Sequence, residues 1–323
     1  LGTGHRYSIF YRGSEMDMPT EFYWLAPDGS SILNKEINYS GMSTTVSFEG
    51  SNPKFYELTK NSIFMSGTDF KEPDRSISAR LKQGGKFEIV SGTTADYFSA
   101  IERDLAASGK IAPRISRDHN PIFDGCYTSR IDTKFANDIL ETLLTDAEKF
   151  SSINSITSGA PYPWIELDHA WRLLFFGEHH DGLTGTDNEN AHLDLLSGWR
   201  EGIITARKAL DRAISGIAEN IDTASASPKN NTVPIVIFNS LNWTRNEPVE
   251  ADVSFKKPVA AFNLFDSQGK AVPFQLLSPV QNKYSTAHIL IGTSGVPSMG
   301  YIVLYMAAAK IFPSGTIPAV SRG

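Results

Sequence analysis

Chemistry is concentrated in Glu178-His179-His180-Asp181-Gly182-Leu183-Thr184-Gly185-Thr186, where two imidazoles, a carboxylate and a flexible polar turn occupy nine residues. A neutral imidazole is a common zinc ligand, and the adjoining carboxylate can bind a metal or the hydroxyls of a sugar. The glycines let backbone approach a ligand closely. The plainer alternative is a helix that ends in polar residues and turns, since no complete ligand set with local spacing is present. Asp118 and His119 are further donors that a different metallohydrolase would join to His179, His180 and Asp181.

The elements that must position these groups follow from apolar spacing. Leu167, Ala170, Trp171 and Leu174 recur at helical intervals just before the motif, which places the histidines at the end of a helix. Phe135, Ile139, Leu143, Ala147 and Phe150 predict a helix before it, with these residues as core. Leu196, Trp199, Ile203, Ala206, Leu210, Ile214, Ile217 and Ile221 predict a third, with one continuous apolar stripe suited to two neighbours. Thr184 and Thr186 are read as capping a helix that starts near Asn188.

Upstream, short strand-like and helix-like segments alternate. Tyr7–Tyr11, Glu21–Leu25, Ser62–Ser66 and Phe87–Val90 read as strands, and Thr94–Leu105 as a helix with Tyr97, Phe98, Ile101 and Leu105 on one side. This is an α/β pattern, in which the carboxyl ends of strands carry function and so draw attention to Arg12 and Asp69. A carboxylate in a turn is ordinarily a turn former. The strand at Tyr7–Tyr11 has nothing before it to pair against, so part of its domain is expected upstream of Leu1. Beyond a polar linker at Thr223–Thr232, six short apolar segments between Val233 and Tyr305 predict an antiparallel β-sandwich, with no clear pattern from Ala307 onward. The expected fold class is therefore multidomain, α/β then α then β: the C-terminal part of an α/β catalytic domain (1–117), a three-helix bundle (118–222) and the start of a β-sandwich (223–323).

Composition narrows the partners. The 323 residues are 41% hydrophobic and 20% charged with a net charge of -6 and no long basic block, which argues against nucleic acid or an anionic membrane as the main partner. A sugar or other neutral substrate fits better. The single cysteine, Cys126, excludes an intrachain disulfide framework and a Cys-rich zinc module. No apolar run approaches membrane-spanning length. Compartment does not follow from the sequence, and a homo-oligomer stays open.

The stretch His179-His180-Asp181-Gly182-Leu183-Thr184-Gly185-Thr186 resembles the His-His-Asp-Ala-Ile-Thr-Gly-Thr signature of glycoside hydrolase family 38, the α-mannosidases. Gly125-Cys126-Tyr127-Thr128-Ser129-Arg130 resembles the entry to that family's central helical domain, Gly67-Thr68-Asp69-Phe70 its Gly-Ser/Asp-Asp-Phe segment, and Ile235 to Trp243 the opening of its C-terminal sandwich. These matches occur in the family's order.

The resemblance implies a retaining, metal-assisted hydrolysis of terminal α-linked mannose. It makes His180 a ligand of the active-site Zn2+, Asp181 a contact to mannose hydroxyls, Asp69 the general acid/base and Arg12 a residue beside the nucleophile and substrate. His179 is then a supporting residue, since neighbours at a helix end point in different directions. In the family the zinc grips vicinal hydroxyls, two ligands come from an N-terminal His-x-Asp and a third is the nucleophilic aspartate. Those positions are expected to precede Leu1, which leaves the chain without zinc affinity or turnover alone. Lys71–Arg75 and the Gly182-Leu183 variant depart from the pattern and point to a bacterial-type or divergent branch. The alternative is a non-catalytic carbohydrate-binding or scaffold protein that keeps the helical and sandwich parts.

Overall fold

The structure, a computed structural model, describes residues 4–10, 20–37, 58–63, 72, 75–82, 88–117, 123–224, 227, 232–278, 283–314 and 316. The chain divides into two compact units, Leu1–Ser129 and Arg130–Gly323.

The first unit carries a mixed four-stranded sheet of β1 (Tyr7–Phe10), β2 (Glu21–Leu25), β3 (Ser31–Glu36) and β4 (Arg114–Ile115) in the order β1-β3-β2-β4. It also holds the helices α1 (Ile77–Leu81), α2 (Thr94–Ser108) and α3 (Asp124–Thr128). Thr93 and Asp96 start α2 with a reciprocal capping box, each side chain accepting the other's backbone N–H. The helix buries Tyr97, Phe98 and Ile101, and Phe98 stacks on Tyr7 with ring centroids 4.5 Å apart.

The strands differ in part from the expected set. β1 pairs in parallel with β3, which follows it in the chain. β3 escapes apolar pattern reading because it buries Asn34, Lys35 and Glu36. Lys35 Nζ lies 3.5 Å from Glu21 Oε1 and donates to Thr20 Oγ1, while Tyr97 donates to Glu21, so these buried polar groups satisfy one another. Glu88–Val90 is irregular rather than a strand, as are Ser62 and Ile63, and Phe64–Ser66 and Phe87 lie outside the described residues.

The second unit begins with three helices, α4 (Ile131–Ser158), α5 (Trp164–Gly177) and α6 (Glu189–Ala218). They share a core built on Leu140, Leu144, Leu167, Leu174, Trp199 and Ala206. Gly202 of α6 sits where a β-carbon would stand 2.6 Å from Leu140, so the two long helices cross at close range. The buried stripe of α4 differs from the expected one. Phe135 and Ile139 are 62% and 43% exposed, and Leu140 and Leu144 face inward instead.

Six strands follow: β5 (Thr232–Phe238), β6 (Pro248–Val259), β7 (Ala261–Phe265), β8 (Phe274–Leu276), β9 (Tyr284–Gly292) and β10 (Tyr301–Ala309). They form two antiparallel sheets, β5-β10-β7 and β6-β9-β8. Both line one core, in which Ile237, Leu264 and Leu304 from the first meet Val253, Ile289 and Ile291 from the second. β10 continues past Tyr305 through three alanines, where pairing with β7 (Ala308 opposite Phe262) sustains a strand that alternation does not reveal. Helices and strands are tied together by Phe150 against Phe238, centroids 5.6 Å apart, and by Lys149 Nζ donating to the Ser240 carbonyl at 3.2 Å. Among the described residues no helix is long and apolar enough to cross a membrane.

Candidate functional site

α5 ends at Gly177, and the chain turns tightly through residues 178–187 before α6. The turn closes on itself. The His179 carbonyl accepts from the N–H groups of Gly182 (2.8 Å) and Leu183 (3.1 Å), and Leu183 packs onto the helical core beneath. Gly182 is buried, and a β-carbon there would stand 2.8 Å from both the Gly177 carbonyl oxygen and Leu195 Cδ1. The glycine that departs from the family pattern thus fits a spot with no room for alanine.

Among the described residues, His179, His180 and Asp181 form a group whose ligand atoms all lie within 4.8 Å of one another. His180 Nε2 and Asp181 Oδ2 are 3.6 Å apart, with side chains 84% and 61% exposed. The other carboxylate oxygen, Oδ1, accepts from Thr186 Oγ1 at 3.2 Å, which fixes the rotation of Asp181. Thr184 Oγ1 donates to the His180 carbonyl. Both threonines therefore hold the turn and do not cap α6. Asn188 is the cap, its side chain accepting from the Ala191 N–H at 3.1 Å.

The two histidine rings lie side by side, centroids 4.3 Å apart, instead of diverging. Their nitrogens nevertheless differ. The Asp181 N–H donates to His179 Nδ1 at 3.2 Å, so neutral His179 carries its proton on Nε2 and has its one lone pair engaged. Among the described residues no backbone group engages the ring nitrogens of His180, which keeps a lone pair for a ligand. The donor set suits zinc: two zinc ligands at about 2.0–2.2 Å in tetrahedral arrangement stand about 3.3–3.6 Å apart, a range that reaches the 3.6 Å between His180 Nε2 and Asp181 Oδ2. A full shell needs more donors than this turn offers.

Arg12 and Asp69 lie outside the described residues, as do Asp118 and His119. Two His-x-Asp spacings occur in the chain. His179-x-Asp181 is the motif itself, and His192-x-Asp194 sits on α6, where residues two apart face different ways. His192 is buried with Nε2 3.5 Å from Asp132 Oδ2, while Asp194 is exposed, so they form no chelating pair.

The sequence carries its relatives' marks over the same region. Residues 122–217 match the α-mannosidase middle domain. Over these and flanking residues the chain is similar to α-mannosidases. It is 26% identical over 255 residues to mouse α-mannosidase 2C1, covering 75% of this chain and 23% of that protein. It is 23% identical over 173 residues to the lysosomal α-mannosidase of Dictyostelium discoideum. A crystal structure of an α-mannosidase from Enterococcus faecalis V583 shares the fold with a TM-score of 0.62 at 17% identity, over 94% of this chain and 40% of that one. The chain thus spans about a quarter of the mouse protein's length, and the His-His-Asp turn falls inside the residues that match the α-mannosidase middle domain.

Proposed function

We propose that the protein is a retaining, zinc-assisted α-mannosidase that removes terminal α-linked mannose from a mannoside or oligosaccharide. The observation that carries this reading is the pairing of His180 Nε2 with Asp181 Oδ2 at 3.6 Å on an exposed turn of an α-mannosidase middle domain. In it His180 is a ligand of the metal, Asp181 contacts the hydroxyls of the mannose held there, and His179 supports the turn through the bond from the Asp181 N–H. Bound zinc supplies a positive charge that polarises and orients vicinal sugar hydroxyls.

The remaining chemistry needs two carboxylates roughly 5 to 5.5 Å apart, one attacking the anomeric carbon and one protonating the leaving oxygen. Asp69 is assigned the second role, with Arg12 beside the nucleophile, and the nucleophile and other metal ligands are assigned to residues beyond this chain. The 323 residues alone are therefore expected to be inactive. The three helices are read as the family's central bundle and the two sheets as the opening of its C-terminal sandwich.

Hydrolysis of an aryl α-mannoside by the full-length protein, with and without a chelator, tests the reading. Loss of turnover with chelator and in His180→Ala and Asp69→Asn is the expected result. Unchanged activity in His180→Ala would sink the ligand assignment.

A further inference from the structure

The turn that presents His180 and Asp181 is gripped from outside by the start of α4. Arg130, the N-cap of α4, has φ 47° and ψ 57°, a left-handed conformation unusual for a residue with a β-carbon. Such a conformation is strained and persists when surrounding contacts hold it. The Arg130 side chain reaches the turn and the first residue of α6. Arg130 Nε lies 3.4 Å from Asp187 Oδ1, Nη2 donates to the Asp187 carbonyl at 3.3 Å and Nη1 to Glu189 Oε2 at 3.3 Å. The aliphatic stem lies across Gly185, where a β-carbon would stand 3.2 Å from Arg130 Cβ and Cδ and where φ is +75°.

The Asp187 carboxylate is buried, and its oxygens meet charged and imidazole groups without a hydrogen bond. The side chain is 7% exposed and faces His192 Nδ1 at 3.9 Å, while His192 Nε2 faces Asp132 of α4 at 3.5 Å. Arg130, Asp187, His192 and Asp132 thus form a chain of side chains that returns to α4 two residues from where it began. At the other end of the turn, Asn137 Nδ2 donates to Glu178 Oε1 at 3.4 Å. From Asp187 the route to the site is one residue long: Thr186, whose hydroxyl orients the Asp181 carboxylate.

We propose that Arg130 is a positioning residue for the site, closing the turn through Asp187 and Gly185 so that His180 and Asp181 stand at a fixed separation. This rests on the reading of His180 and Asp181 as site residues.

The test uses amide hydrogen exchange on the full 323-residue chain, which needs neither metal nor substrate. Arg130→Gly removes the guanidinium and at the same time relieves the left-handed backbone. It is expected to leave exchange at Leu144 and Ala206 in the helical core unchanged while accelerating Gly182, Leu183 and Thr186 about tenfold. Arg172→Ala, which breaks an exposed pair with Asp168 on α5, should leave the turn unaffected. Turn amides that exchange at the wild-type rate in Arg130→Gly, or acceleration of equal size at Leu144 and Ala206, would overturn the proposal. In the full-length protein Arg130→Gly should lower kcat/KM for an aryl α-mannoside while His180→Ala abolishes turnover. Retained activity in His180→Ala would overturn the reading of His180, and the exchange measurement would still decide the role of Arg130.

Discussion

Gly177 and Trp199 are in face-to-backbone contact: a β-carbon on Gly177 would stand 2.5 Å from Cζ2 of the indole. Trp199 is 1% exposed and packed in the helical core, so α5 can reach its last turn beside α6 only with glycine at this point. The residues that follow, Glu178 to Asp181, inherit their position from that contact.

Gly177→Ala is accordingly expected to destabilise the chain by about 1–3 kcal/mol through overpacking. A thermal melt coincident with that of the unmodified chain would show that the contact is not binding.

Gly198, one residue before Trp199, should behave in the opposite way. Its added β-carbon would meet only Leu173 Cδ2 at 3.6 Å, an ordinary contact, and the position is interior to α6. Gly198→Ala is expected to stabilise by about 0.5–1 kcal/mol, since glycine loses more backbone entropy in a helix. A denaturant midpoint that falls instead of rising contradicts this.

Thr186→Val keeps the shape of the side chain and deletes the hydroxyl that donates to Asp181 Oδ1 at 3.2 Å. The expected loss is about 1 kcal/mol of stability, with Thr186→Ser restoring it. If valine and serine unfold at the same denaturant concentration, the hydroxyl is not what holds Asp181.

The α2 capping box predicts a pH dependence. The backbone N–H of Thr93, and then its hydroxyl, hold the Asp96 carboxyl below the usual carboxylate range. A depressed folded-state value means that the contribution to stability is fully present above the unfolded value of about 3.9 and is lost as pH falls through the lower folded value. Thr93→Val should raise the Asp96 titration midpoint toward the unfolded value, as followed by carboxyl-carbon NMR. An unmoved midpoint would remove the hydroxyl from the account.

Much of this organisation is legible along the chain because its causes are local. Thr94–Leu105 and the three long helices announce themselves by apolar spacing, and their observed bounds, Thr94–Ser108, Ile131–Ser158, Trp164–Gly177 and Glu189–Ala218, extend those segments by about one to two turns, except that α6 ends before Ile221. The His-His-Asp turn is legible for the same reason, as residue types that few structural needs bring together. The threonines of that turn were harder to read. Thr184 and Thr186 have the chemistry of helix caps, and only the path of the turn shows that their hydroxyls point back to His180 and Asp181 while Asn188 caps α6.

By itself the sequence determined the helical segments, the family motifs and the kind of chemistry the turn offers, since periodicity, caps and ligand types are written within a few residues of one another. Tertiary structure decided the pairing of β1 with β3 and let Lys35 enter a strand core, because Glu21 supplies its counter-charge from another strand. It also turned α4 so that Leu140 and Leu144 face inward in place of Phe135 and Ile139, because α5 and α6 together select which stripe is covered. Finally it distinguished His179 from His180, through the one backbone N–H that occupies the first imidazole and leaves the second open.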